Sequence, residues 1–177
     1  LAALDGCFME AEQGVSAHFR RDPREGPALV RAFARLAEAD GSRAARGRAA
    51  RLAASFALHR GRARDALAHS ARAEALLDGA ARDGARIGAA GALLRLGRFD
   101  EAIATCRRAR NAARRRGDAL LEAGAELNEA IARHEGGAPA RALVLYDRTR
   151  DAFDALGKPL LAAQAVNNAA NALVALE

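Results

Sequence analysis

Three observations in the amino-acid sequence predict an all-α domain made of antiparallel helix hairpins. Two concern the composition, and the third is a repeated pattern. Alanine accounts for 50 of the 177 residues, whereas the chain has five valines and three isoleucines and lacks tryptophan. Sheets are enriched in β-branched and aromatic residues, so this composition favours helices that approach closely over small side chains. The pattern is an arrangement of glycine and alanine that recurs after 36 and 40 residues. A chain of this length is expected to form one domain.

Three glycines mark the repeat. Gly61, Gly97 and Gly137 each follow an apolar helical stretch and are separated by 36 and 40 residues. Glycine adopts the left-handed conformation that ends a helix, so each is predicted to lie in the turn of a hairpin. Two sets of alanines keep the same spacing and are predicted to lie where paired helices cross. They are Ala54, Ala90, Ala130 and Ala170 in the first helices, and Ala66, Ala102 and Ala142 in the second helices.

The spacing of apolar residues places the helices in order along the chain. The first helix carries an apolar stripe at helical spacing, formed by Leu4, Phe8, Ala11, Val15 and Phe19. Two prolines and a glycine in segment 21–27 end this helix. The later turns are short, which predicts antiparallel neighbours. The sequence predicts about nine helices, over 2–20, 27–39, 42–60, 62–78, 80–96, 99–116, 118–135, 138–156 and 159–176.

The clearest copy of the repeat runs from Leu96 to Ile103 and reads Leu-Gly-Arg-Phe-Asp-Glu-Ala-Ile. With the glycine and alanine columns, it resembles the turn and second helix of tetratricopeptide repeats, over 42–177 closely and over 1–41 by helical pattern. The longer spacing and the segment from Ala152 to Lys158 resemble a bacterial class of these repeats. In that class, arrays lie beside CHAT protease domains or within large signalling ATPases and transcription regulators. The resemblance implies a right-handed superhelix, an α-solenoid, whose first helices line a concave groove.

The same resemblance divides the single domain 1–177 into about four and a half repeats. Segment 1–41 is a degenerate first hairpin, 42–79, 80–117 and 118–157 are full repeats, and 158–177 is the unpaired first helix of a further repeat. Because the chain begins at Leu1 and stops within a helical pattern, we expect it to be part of a larger protein. The last helix is expected to leave an apolar face open for another copy or a capping helix, formed by Leu161, Ala165, Ala169 and Leu173.

The candidate binding site is the groove that the resemblance implies. Asn128 and Asn168 occupy the same column, 40 residues apart, although helix interiors disfavour asparagine. An amide both donates and accepts hydrogen bonds, which suits contact with the backbone of an extended peptide. The alternative is that these amides are polar surface or bond one another between helices. The candidate groove contacts are Arg48, Arg51, Arg95, Asn128, Ile131, His134, Gln164, Asn167, Asn168 and Asn171.

These residues predict a non-catalytic scaffold that binds a peptide or a protein partner without a cofactor or metal. Arg48, Arg51 and Arg95 would add a basic floor for an acidic peptide or a terminal carboxylate, because guanidinium groups pair with carboxylates. The alternative function is a regulatory arm that packs on a neighbouring protease, ATPase or DNA-binding domain of the same chain.

A minor alternative is binding of nucleic acid or another anionic surface through the arginine-rich helix over 99–116. Arg107, Arg110 and Arg114 share one face of this helix, and the net charge is +6. The helix lacks aromatic residues for base stacking and is expected on the convex side, so nucleic acid is not the expected partner.

Other polar and reactive residues are interpreted as structural. Cys106 falls in a column shared with Ser70 and Tyr146, which predicts that it fills the hairpin core. Glu122, Glu126 and Glu129 lie on one side of a helix and are interpreted as solubilising surface. The chain lacks catalytic or metal-binding motifs, and its apolar runs are too short to cross a bilayer, so a cytoplasmic location is expected.

Overall fold

The computed structural model describes residues 10–12, 14–15 and 24–177, and the regular structure in these residues is entirely helical. Eight helices follow one another from residue 26 onward: α1 (Gly26–Asp40), α2 (Arg43–His59), α3 (Ala63–Leu76), α4 (Gly79–Arg95), α5 (Phe99–Arg116), α6 (Ala119–Glu135), α7 (Pro139–Ala155) and α8 (Pro159–Val174). Each begins and ends within two residues of a predicted helix. Of the helix predicted over 2–20, residues 10–12 and 14–15 are helical, whereas Leu4, Phe8 and Phe19 of its stripe lie outside the described residues.

Glycine turns end five of these helices in the same way. After α2, Gly61 has a φ of 73°, and its N–H donates to the carbonyl of Leu58 at 3.0 Å. The next N–H, that of Arg62, donates to the carbonyl of Ala57 at 2.8 Å. This pair of bonds is the Schellman motif, which satisfies the last carbonyls of a helix. Equivalent pairs of bonds follow the other helices at Gly97, Gly117, Gly137 and Gly157. The prediction that glycine ends the first helix of each hairpin is confirmed.

The chain forms two compact units, Leu1–Ala92 and Leu93–Glu177, whose boundary falls inside α4. In the first unit α2 packs against α1 and α3. Its buried residues form small clusters: Phe33, Leu52 and Phe56 in one, Ala50, Ala73, Leu77 and Ala85 in another, and Ala57, Ala66 and Ala92 in a third. Val15 packs against the first of these clusters, in agreement with the apolar stripe, whereas Ala11 of that stripe is exposed.

In the second unit α5, α6, α7 and α8 pack in sequence, each against the next. Tyr146 and Phe153 of α7 are each 1% exposed and belong to one core cluster with Leu127 of α6 and Ala165 of α8. The all-α architecture of packed hairpins is therefore confirmed within each unit, while the superhelix that the resemblance implies stays a prediction. No helix in the described residues is both long and apolar enough to cross a membrane.

The alanine columns lie at the helix contacts where they were expected. Ala130 of α6 and Ala142 of α7 are both fully buried in the same core cluster, and the other members up to residue 142 are at most 4% exposed. Ala170 is the exception and is exposed, because no helix follows α8 in the described residues to cover that side. Close crossing over small side chains is thus the packing mode of these hairpins.

The last helix does leave apolar side chains open, and three of the four predicted residues, Leu161, Ala169 and Leu173, are at least partly uncovered. Leu160 is 86% exposed, Val174 70% and Leu173 55%, whereas Leu161 and Ala169 are half-buried. The inclusion of Ala165 was wrong, because this residue is fully buried on the side of α8 that packs against α7. Self-association through this helix stays a prediction.

Candidate functional site

Four amide side chains form a stripe along α8. Gln164, Asn167, Asn168 and Asn171 have the spacing i, i+3, i+4 and i+7, which places them on one face of a helix. Gln164, Asn167 and Asn171 are exposed, and Asn168 is half-buried. The helix has no charged residue between Pro159 and Val174. We call these four residues the amide stripe; its hydrogen-bonding capacity is available without competition from neighbouring charges on its own helix.

Asn168 carries an unsatisfied donor within this stripe. Its Nδ2 atom is buried and has no hydrogen-bond partner. Asn128, the equivalent residue of α6, behaves differently: its Nδ2 donates to the carbonyl of Gly124 at 2.9 Å, one turn earlier in its own helix. Neither amide nitrogen therefore donates to the other residue, and the alternative in which these amides bond each other in that way is not seen.

The helices that carry these two asparagines lie together. Both α6 and α8 pack against α7, and they also touch each other. The two remaining candidates on α6 are His134 and Ile131, which are both half-buried. Ile131 packs against the core of the second unit and is therefore partly a structural residue. The polar candidates of this unit thus come from two neighbouring helices, with the amide stripe as their most accessible part.

The predicted basic floor is already occupied by a carboxylate of the same chain. Arg51 donates from Nε and Nη2 to the two oxygens of Glu12, both at 2.7 Å. The nearest guanidinium nitrogen of Arg48 lies 3.8 Å from the same carboxylate, and Glu12 is 5% exposed. The guanidinium groups bind a carboxylate, as their chemistry predicts. The interpretation of these two arginines as an open floor was wrong, because both already pair with the carboxylate of Glu12. Arg95, near the end of α4, is exposed.

The arginines of α5 pair with glutamates of α6. Glu129 is 2% exposed and accepts bonds from Arg107, Arg110 and Arg133, each at 2.9 Å. Glu126 is 6% exposed, with Arg110 at 3.3 Å and Arg148 at 3.1 Å. The interpretation of Glu126 and Glu129 as solubilising surface was therefore wrong, because they are the buried counterions of the arginine-rich helix.

An arginine that pairs with a glutamate contributes less to binding of a polyanion than an arginine without such a partner. Arg114, the third member of the predicted basic face, also pairs with a glutamate, since Glu122 lies 2.7 Å away. The three arginines of the predicted basic face thus each pair with a glutamate of α6, in contrast to an open basic patch.

Cys106 lies in the core of the second unit, next to this charge cluster. It is fully buried, and burial raises the pKa of its thiol to about 12, with a further contribution from the negative charge of Glu129. A thiol with such a pKa stays protonated and unreactive at neutral pH. This burial confirms the prediction that Cys106 fills the hairpin core.

Fold and site together define a class: an all-α protein whose helices pack as hairpins within each unit and whose helix α8 carries an uncharged, amide-rich face. Comparison with known proteins identifies no family: no protein-family model matches the chain, and no curated protein is found to be related to it. The resemblance to tetratricopeptide repeats stays a prediction.

Proposed function

We propose that this chain is a non-catalytic binding domain that holds an extended peptide, or an extended segment of a partner protein, along the amide stripe of α8 and Asn128 of α6. The observation that carries the proposal is the buried, unpaired Nδ2 of Asn168, flanked by three exposed amides. An extended peptide offers backbone carbonyl and N–H groups at regular intervals, and amides pair with both.

The amide stripe lowers the stability of the folded chain, which supports the interpretation that it serves binding. Asparagine is less favourable than alanine in a helix by up to about 0.7 kcal/mol per position, and alanine is the commonest residue of this chain. A buried amide hydrogen without a partner is also destabilising, by roughly 1 to 3 kcal/mol. The folded chain obtains no compensating hydrogen bond for the Asn168 nitrogen. A bound peptide carbonyl would supply that bond once a rotation of the Asn168 side chain exposes its nitrogen.

The test is selection of peptides from a random displayed library, followed by fluorescence anisotropy with the selected peptide. Replacing Asn168 and Asn171 together by alanine should weaken binding about 5-fold to 150-fold, the effect of losing two hydrogen bonds. The folded domain should keep or gain thermal stability, because alanine is the better helix former. Asn111→Ala is the control, since Asn111 is an exposed asparagine on α5, away from the stripe.

Two results would contradict the proposal. One is unchanged affinity in the double variant, which would separate peptide binding from the amide stripe. The other is failure to select any peptide in trans, which would favour the alternative of a regulatory arm that packs on another domain of its own chain. In that case deletion of the arm from a chain that also carries another domain should change the activity of that domain.

A further inference from the structure

A half-open cavity of about 330 Å³ is lined by residues of the first unit and is separate from the amide stripe. Its lining includes Leu52 and Leu58 from α2, Ser70 from α3, and Gly84 and Gly88 from α4. The ion pair of Arg51 with Glu12 also contributes to the lining. This volume lies at the lower end of the range for small-molecule sites, and the lining is mainly apolar with few polar groups, as is usual for such sites.

Ser70 supplies an unused hydrogen-bonding group in this cavity. The residue is 1% exposed, yet its Oγ has no hydrogen-bond partner. The buried hydroxyl group of Thr149 in α7, by contrast, has a partner, because it donates to the carbonyl of Tyr146, one turn earlier, at 2.9 Å. Buried hydroxyl groups are normally paired, so the state of Ser70 indicates a position where a ligand atom would bind.

The glycines of α4 keep the cavity open. A Cβ atom at position 88 would lie 3.4 Å from Ser70 Oγ, which is an ordinary contact, and one at position 84 would meet only the flexible end of Arg51. By contrast, a Cβ atom at Gly47 would come within 2.7 Å of the buried Leu77, so packing requires that glycine. Packing alone therefore does not require Gly88, although glycine inside a helix is less stable than alanine.

We propose that this cavity binds a small, mainly apolar ring that carries one hydrogen-bonding group, of the size of a phenol. The leucines and the glycine backbone of α4 would contact the ring, and Ser70 would bond its polar atom. A neutral group fits better than an anion, because Glu12 already satisfies Arg51 through two bonds. The same chemistry occurs in a free phenolic molecule and in the tyrosine side chain of a bound peptide.

Titration of the full chain with p-cresol and with toluene, followed by ¹H–¹⁵N correlation spectra, tests the proposal. The backbone N–H signals of the cavity-lining residues in α2, α3 and α4 should shift with p-cresol until binding is saturated. Toluene lacks the hydroxyl group and should bind roughly threefold to tenfold more weakly. Ser70→Ala should remove this difference. N-acetyl-tyrosinamide separates the two sources: tighter binding than p-cresol indicates a peptide side chain, and weaker binding indicates a free phenol.

Gly88→Ala is the decisive variant, because the added methyl group projects into the cavity 3.4 Å from Ser70 Oγ, where the polar atom of the ligand would bind, while favouring the helix. It should lose saturable binding of p-cresol and melt at the same or a higher temperature. Gly124→Ala is its control: position 124 lies inside α6, where an added Cβ atom would meet only open space, so it gains helix stability and should leave binding unchanged. Absence of saturable shifts up to the solubility limit of p-cresol, or equal binding by Gly88→Ala, would overturn the proposal.

Discussion

Glu129 is the most informative single position for the stability of the second unit. Its carboxylate joins neighbouring helices, because it accepts bonds from Arg107 and Arg110 of α5 and from Arg133 of its own helix α6, and it lies close to Cys106 in the interior. Glu129→Gln keeps the shape of the side chain but removes the negative charge. Arg107 and Arg133 then remain in place without this counterion, and Arg110 keeps only Glu126, at 3.3 Å.

The expected loss follows from how far each arginine is buried. Arg110 is 18% exposed and Arg133 15%, so both stay largely desolvated after the change, whereas Arg107 is 51% exposed and can be solvated by water. Removing one partner of a buried ion pair is destabilising by about 3 to 5 kcal/mol. Glutamine still accepts one bond, so we expect the lower end, about 3 kcal/mol. For a chain of this size that corresponds to a decrease in melting temperature of roughly 6 to 12 °C.

Urea unfolding followed by circular dichroism measures the free energy of unfolding, and amide hydrogen exchange in α5, α6 and α7 locates the loss. Glu122→Gln is the control, since Glu122 pairs with Arg114 at 2.7 Å between α5 and α6, but with both side chains more exposed, 28% and 56%. A pair of that kind contributes at most about 1 kcal/mol. Equal losses in the two variants would refute the argument that burial of the Glu129 carboxylate sets the size of the effect.

Three further predictions concern a turn glycine and two buried acidic groups, the thiol of Cys106 and the phenol of Tyr146. Gly97→Ala should destabilise the fold by about 1 kcal/mol or more in thermal melts, because φ at this position is 69°; a stability gain would contradict the assignment of the turn. Cys106 should react with iodoacetamide at pH 8 only after unfolding, with peptide mapping to distinguish it from Cys7. Burial raises the pKa of Cys106 from 9.0 and that of Tyr146 from 10.0, each to about 12. Folding stability present at neutral pH should therefore decrease between about pH 9 and pH 12, and urea unfolding at pH 8 and pH 11 checks this.

Local sequence signals predicted the helices well. The helix expected over 99–116 begins and ends at Phe99 and Arg116, since Asp100 and Glu101 mark its first turn and Gly117 ends it in a Schellman motif. Capping and helix-ending glycine act within a few residues, so the sequence carries this information directly.

Ion pairing between helices was not predictable in the same way. Glu129 and Arg107 are 22 residues apart, and Glu12 and Arg51 are 39 apart, so their contacts depend on how whole helices pack. Spacing along one helix shows only which residues share a face. The cavity was missed for a related reason. Gly88 has no side chain, but the open space that this leaves beside Ser70 exists only after three helices have packed.

The packing order of the helices also bears on how quickly the chain folds. Within each unit most helix contacts join neighbours in sequence, such as α2 with α3 or α7 with α8, through turns of only three or so residues. Closing such short loops loses little chain entropy, and domains with local contacts fold in microseconds to milliseconds. The short glycine turns therefore favour rapid formation of the hairpins that they join.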